Sequence, residues 1–233
     1  MMRLDKMLSH KGYGSRKEVK TIIRKGFVYV NDTQIFDDDF KVDENKDSVT
    51  IMDEIIEYCD KVYIMLNKPK NVVSATFDFN KETVIDLVGS YAKQKVFPIG
   101  RLDIDTVGLL IITNDGPLAY DLISPKKHVD KVYYVEFLGE FKEEYNKMFL
   151  NGIQLEDGYI CREAKIKLLN KNSCEITIHE GKFHQIKRMF DVLGMKVTYL
   201  KRIKFGNIEL DESLKEGEFR LLTSEEVELL RKR

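Results

Sequence analysis

Residues 100–116 read Gly100-Arg101-Leu102-Asp103-Ile104-Asp105-Thr106-Val107-Gly108-Leu109-Leu110-Ile111-Ile112-Thr113-Asn114-Asp115-Gly116. A polar loop leads into four consecutive aliphatics, Leu109 to Ile112, and Asn114-Asp115-Gly116 follows them. That pattern predicts a buried strand running into a turn. On the residues alone Asp103 is a loop carboxylate, because Asp and Gly are common turn residues. The apolar run from Val107 to Ile112 falls far short of the ~20 residues that span a bilayer, so no transmembrane helix is expected.

Outward from this stretch, strand-like runs recur at Val62–Leu66, Val132–Phe137, Ala164–Leu168 and Cys174–Ile178, with helical segments between several of them. Strands outnumber helices, and the connections are too short for regular crossover helices. The expected class is therefore α+β, built on a mixed, mainly antiparallel sheet. Ile186, Met189, Phe190 and Leu193 keep the spacing of one buried helical face, and Gly194 ends that helix. Lys187 sits beside the stripe, where a lysine either snorkels to solvent or balances a carboxylate.

The first thirty residues form a smaller pattern. Leu4, Met7 and Leu8 keep helical spacing, Gly12-Tyr13-Gly14 interrupts it, and Ser15 with Glu18 makes a capping box for a second helix carrying Val19, Ile22 and Ile23. Gly26 stops that helix before a strand at Phe27–Val30 and a turn at Asn31-Asp32. A further strand is expected at Ser48–Ile51, after which periodicity fades through Glu54-Ile55-Ile56-Glu57. The domain boundary is placed there, giving a small N-terminal α/β domain over 1–58 and a larger one over 59–233.

A chain of 233 residues, 43% apolar and 33% charged, is large enough for these two cores and is neither membrane-like nor disordered. Its net charge of −1 conceals an uneven distribution. Met1–Asn31 carries eight bases against two acids, a net +6; Asp32–Asp60 carries two against eleven, a net −9; Gly181–Lys204 carries seven against one, again +6. Basic segments of this kind neutralise phosphates or form solvated helix faces. Cys59, Cys161 and Cys174 form no CxxC pair and leave one unmatched, which argues against a disulfide framework or a zinc site. The opening Met1-Met2-Arg3-Leu4-Asp5-Lys6 has no apolar secretory core, so a cytoplasmic location is expected.

The 100–116 segment resembles the signature of the RsuA family of pseudouridine synthases, GRLDxxTxGLLLLTNDG, differing only by aliphatic swaps in the strand. Lys131-Val132-Tyr133-Tyr134-Val135 is similar to that family's KxYxV strand, and Glu180-Gly181-Lys182-Phe183-His184-Gln185-Ile186-Lys187-Arg188-Met189-Phe190 to its EGxxHQxKRMF segment. The amino-terminal module resembles the RNA-binding domain named after ribosomal protein S-four, through Arg3-Leu4-Asp5-Lys6, Ser15-Arg16 and Gly26–Asn31, with Asp32 where relatives carry Gly.

The resemblance implies isomerisation of uridine to pseudouridine in ribosomal RNA, without cofactor or metal. It implies Asp103 as the catalytic carboxylate, Tyr133 as the active-site tyrosine and Lys187 as the basic residue facing Asp103. Arg101, Thr106, His184 and Gln185 are expected to bind substrate. Arg3, Lys6, Arg16, Lys17, Lys20, Arg24 and Lys25, with Lys126 and Lys127 in a basic loop, are expected to meet RNA phosphates. Carboxylates suit the chemistry because a glycosidic bond leaves through an oxocarbenium-like state that an anion stabilises or traps. The expected partner is ribosomal RNA or a partly assembled subunit, engaged by a monomer. The His184-Gln185 version of the third motif favours 16S over 23S rRNA; a noncatalytic assembly factor is the alternative that an intact Asp103, Tyr133 and Lys187 set argues against.

Overall fold

The computed structural model describes residues 1–43, 46–52, 54–56, 61–124 and 129–232. They divide into two compact units, Met1–Val62 with Ser90–Val96, and Tyr63–Gly89 with Phe97–Arg233. The 58/59 boundary expected from sequence lies outside the described residues, as do Lys126 and Lys127. Among the described residues no helix is long and apolar enough to cross a membrane.

The first unit runs β1 (Met2–Arg3), α1 (Leu4–His10), α2 (Arg16–Arg24), β2 (Val28–Val30), β3 (Thr33–Ile35), β4 (Lys41–Val42), β5 (Val49–Ile51) and β6 (Glu54–Ile56). Ser15 and Glu18 close the capping box that starts α2. Leu4, Met7, Leu8, Val19 and Ile23 pack against Val28, Val30, Val49 and Ile51 of a sheet ordered β3-β2-β5-β6. Asn31 and Asp32, with φ of 49° and 62°, make the two-residue hairpin turn between β2 and β3. The region where periodicity was expected to fade holds β6, paired antiparallel with β5. Three residues with only Ile56 buried are too few for a period to register.

The second unit contains β7 (Tyr63–Lys68), β8 (Phe97–Pro98), β9 (Val107–Thr113), α3 (Gly116–Ile123), β10 (Lys131–Leu138), α4 (Tyr145–Asn151), β11 (Ala164–Asn170), β12 (Ser173–Ile178), α5 (Gln185–Val192), β13 (Lys196–Phe205), β14 (Ile208–Glu209), β15 (Phe219–Leu221) and α6 (Ser224–Arg231). Its nine-stranded sheet is ordered β11-β12-β10-β13-β9-β7-β15, with β8 on β9 and β14 on β13. β7 and β9 are buried at every position because both faces of the sheet are covered there. Leu109 and Ile111 join Met65, Ala119, Leu122 and Phe205 in a core cluster. The α5 stripe contributes Phe190, whose ring lies 5.3 Å from Phe137 and 5.7 Å from Phe149. Each such fully buried aromatic or aliphatic side chain contributes about 1.5–3 kcal/mol.

Every strand pairing in this sheet is antiparallel except β13 with β9, where Lys201 faces Val107 and Arg202 faces Gly108. The backbones approach so closely that a Cβ on Gly108 would lie 2.3 Å from the Arg202 carbonyl oxygen, and Gly108 itself has φ of 101°. Only glycine fits both constraints. The turn expected at Asn114-Asp115-Gly116 is instead the start of α3. Asp115 is its N-cap, accepting from Leu118 N at 3.3 Å and from Tyr63 Oη at 2.7 Å. Pro117 stands in the first turn, where its missing N–H costs nothing.

Candidate active site

Asp103 lies in the connection between β8 and β9, which is fixed from several directions. Ser74 Oγ donates to Leu102 O at 2.9 Å and accepts from Leu102 N at 3.0 Å. Thr106 N donates to Asp103 O at 3.1 Å, and Asn71 N to Ile104 O at 2.8 Å. Lys68, fully buried at the end of β7, donates from Nζ to Pro69 O (2.9 Å), Thr106 O (3.0 Å) and Ile104 O (3.5 Å). Burial pushes this ammonium down to about 8, against the opposing pull of the Asp105 and Asp103 anions. Sequence reasoning assigned Lys68 no role.

Lys187, in the first turn of α5, brings Nζ to 3.1 Å from Asp103 Oδ2 and 2.6 Å from Asp105 Oδ1. Burial acts to raise the Asp105 carboxyl, but the hydrogen bond and charge of Lys187 outweigh it and hold the group below its ordinary value. The second carboxylate was also missed; the chain turns at Ile104-Asp105, with Thr106 N bonded to Asp103 O, and this turn brings both carboxylates to Lys187. His184 approaches Asp103 Oδ2 to 3.8 Å through Nε2. It is the left-handed N-cap residue of α5, with φ of 49°, and its ring stacks on Phe183 at 3.8 Å.

Asp103, Thr106, Tyr133, His184 and Arg101 line one cavity of about 950 Å³ in the second unit. Tyr133 is buried in β10, while Tyr134 alternates to the other side, bonds Glu136 at 3.0 Å and packs edge-on against Tyr199. The buried hydroxyl of Thr106 has no hydrogen-bond partner among the described residues. Arg101 is exposed. Gln185 also borders the cavity, but both ends of its buried amide are engaged in the loop before α5. Nε2 donates to Glu180 Oε1 at 2.8 Å, and Oε1 accepts from Lys182 N at 3.0 Å. The geometry makes it a support of that loop.

A half-exposed carboxylate flanked by an ammonium and an imidazole, beside a tyrosine ring, can act as an oxygen nucleophile or as a base. The buried thiols supply no alternative: burial pushes Cys161 up to about 11 and Cys174 to about 12, so neither is a thiolate near neutrality.

In the first unit the basic residues divide into two groups. Arg3 bonds Asp5 and Asp39; Lys20 lies 3.5 Å from Asp38; Arg24 lies 2.7 Å from Asp38. Arg16, Lys17 and Lys25 are exposed and make no ion pair among the described residues, and Lys6 is half-buried.

The model of a family described as RNA pseudouridylate synthase matches residues 62–191, and that of the S4 domain matches residues 2–48. An uncharacterized RNA pseudouridine synthase of Bacillus subtilis is 43% identical over 98% of both chains. A ribosomal small subunit pseudouridine synthase A of Haemophilus influenzae is 35% identical, over 98% of this chain and 99% of its own. A ribosomal large subunit pseudouridine synthase B of Bacillus subtilis is 36% identical, over 99% and 96%. A crystal structure of a pseudouridylate synthase superposes with a TM-score of 0.70 at 34% identity, covering 99% of this chain and all of its own.

Proposed function

That this chain belongs to the RNA pseudouridylate synthase family is the premise from which we propose that it isomerises uridine in small-subunit ribosomal RNA, with Asp103 as the catalytic carboxylate. The observation that carries the residue assignment is the Lys187–Asp103 contact of 3.1 Å at a cavity that also holds Tyr133.

The reaction breaks the bond from uracil N1 to the anomeric carbon, turns the base, and joins C5 to the same carbon; the proton leaving C5 is balanced by one gained at N1. Lys187 Nζ, 3.1 Å from Asp103 Oδ2, fixes the carboxylate at the cavity, where it faces the positive charge that develops on the sugar. Asp103 either attacks the anomeric carbon or removes the neighbouring sugar proton to give a glycal, and the geometry serves both routes. The target nucleotide must leave its stack to enter the cavity, where Tyr133 offers a ring face and a hydroxyl. Thr106, with its unpartnered hydroxyl, and exposed Arg101 are the remaining substrate-binding groups. In this reading residues 1–58 grip RNA, residues 59–233 carry out the chemistry, and the protein works as a cytoplasmic monomer.

Mass-spectrometric mapping of pseudouridine in ribosomal RNA, from cells with and without the protein, tests the assignment. One small-subunit site should vanish on deletion and return with the wild-type chain but not with Asp103→Asn. Loss of a site in the large-subunit RNA instead would transfer the substrate to that subunit, and an unchanged map would overturn the proposal.

A further inference from the structure

The loop from Val73 to Val84 is closed at its base and tied to the active-site segment. Val73 N donates to Glu82 O and Val84 N to Val73 O, both at 3.0 Å. Ser74 holds Leu102, the residue before Asp103. Asp78 Oδ1 accepts from Asn80 N at 2.9 Å and Lys81 N at 3.0 Å, which fixes the tip in a tight turn. On this pinned loop Thr76 and Asp78 line the Asp103 cavity. The residues alternating with them, Phe77 and Phe79, are 67% and 90% exposed, and Phe79 is the most exposed large apolar side chain among the described residues. Their rings meet edge to face, with centroids 4.8 Å apart.

Two phenylalanines held in water on a short, hydrogen-bonded loop gain little for the fold, since each leaves most of its apolar area unburied. A second loop lining the same cavity repeats the pattern: Phe183 is 74% exposed beside His184, next to exposed Lys182. Exposed cations at Arg101, Lys81 and Lys182 accompany these rings. Ring faces with interspersed cations are what unpaired bases on a phosphate backbone require, because every base offers a π-face whatever its sequence.

We propose that Phe77 and Phe79 form a stacking platform for an unpaired base flanking the target uridine, so that this loop selects RNA already open beside its modification site. The proposal rests on the RNA-modifying reading of the Asp103 cavity and adds a specificity element to it. An edge-to-face pair presents one ring face for stacking while the other ring braces it, and the bonds of Ser74 to Leu102 relay that position to the catalytic segment.

The chain contains no tryptophan, so Phe79→Trp gives a single tryptophan at the platform, excited apart from the tyrosines at the red edge of its absorption. The full chain carrying it is titrated with single-stranded oligouridylate of about twelve nucleotides and with an abasic ribose-phosphate chain of equal length. Quenching by the first and not the second is expected. Phe77→Ala with Phe79→Ala should weaken oligouridylate binding about tenfold while leaving binding of the abasic chain and the salt dependence unchanged. On ribosomal RNA the double variant should raise KM and keep kcat. A tryptophan that stays unquenched at saturating oligouridylate, or a double variant whose affinity stays within about twofold of wild type, overturns the platform. So does a dimer in sedimentation that the double alanine variant abolishes without changing RNA affinity, since the rings would then serve a protein contact. Binding and quenching are read without turnover, so failure of the isomerase assignment would show separately, in the pseudouridine map.

Discussion

Lys187 Nζ stands nearer to Asp105 than to Asp103, at 2.6 Å against 3.1 Å, so one ammonium is divided between a solvent-facing carboxylate and the carboxylate on the cavity. The two acids therefore answer differently to substitution.

Asp103→Asn should reduce single-turnover pseudouridine formation to below about 1% of wild type, with RNA affinity within a few-fold. The amide keeps size and hydrogen bonding and loses the anion. Activity above a few per cent would remove Asp103 from its role.

For Asp105→Asn the expected effect lies in stability. The folded-state value of Asp105 sits below its ordinary one, so its contribution is present above the ordinary carboxylate range and is lost as pH falls through the lowered value. Urea unfolding should show the variant less stable than wild type at neutral pH, with the gap closing toward acid. In a Lys187→Met background the gap should disappear; a gap of equal size there would mean that another group lowers Asp105.

Lys68 has the opposite sign. Its folded value of about 8 lies below the ordinary 10.5, so between those limits the unfolded chain holds a proton that the folded chain does not. Wild-type stability should rise against Lys68→Met by about 2 kcal/mol from pH 8 to pH 10. A pH-independent difference would place the folded-state value of Lys68 near the ordinary one.

Gly108→Ala should cost more than about 3 kcal/mol or leave the protein insoluble, because the new methyl meets the Arg202 backbone and φ is positive. Gly116→Ala, with nothing within 4 Å, should stay within about 0.5 kcal/mol of wild type. Similar denaturation midpoints for the two variants would refute the close approach.

On the RNA side, replacing Arg16, Lys17 and Lys25 together by Gln should reduce the slope of log affinity against log salt by about 2 or more, each phosphate contact contributing about 0.7 to 0.9. Arg24→Gln alone should change it less, since Arg24 already faces Asp38. Equal slopes for wild type and the triple variant would make these residues a solvated face. Substitution is a cleaner test than deleting 1–58, which would strip Ser90–Val96 of the unit to which it belongs.

The buried strands at the centre of the second unit were legible because Leu109–Ile112 and Val132–Phe137 carry few charges. β13 was not: Lys196, Lys201, Arg202 and Lys204 interrupt its apolar residues, and only the fold shows that Arg202 lies buried with Nε on Leu109 O at 2.7 Å. Asp103, Tyr133, His184 and Lys187 each lay within a recognisable motif. Lys68 did not, because a lysine at a strand end reads as solvated until the distant carbonyls of Ile104 and Thr106 join that of adjacent Pro69 around it. Segment charges misled in another way. The +6 and −9 stretches were counted separately, whereas the first unit folds Asp38 and Asp39 back onto Arg3, Lys20 and Arg24.

The parallel contact at Gly108 also divides the sheet between the residues of the site. It is two residue pairs long and joins the strands β9, β7 and β15 to β13, β10, β12 and β11, with Leu109, Ile111 and Phe205 packed in one core cluster across it. Asp103 is carried on the first panel, through the loop into β9, while Tyr133 rides on the second in β10 and Lys187 on α5, which packs against β13. The 3.1 Å contact of Lys187 with Asp103 thus joins groups carried by the two halves of one sheet. A substitution that shifts β9 against β13 is therefore expected to lengthen that contact without touching any residue in the cavity.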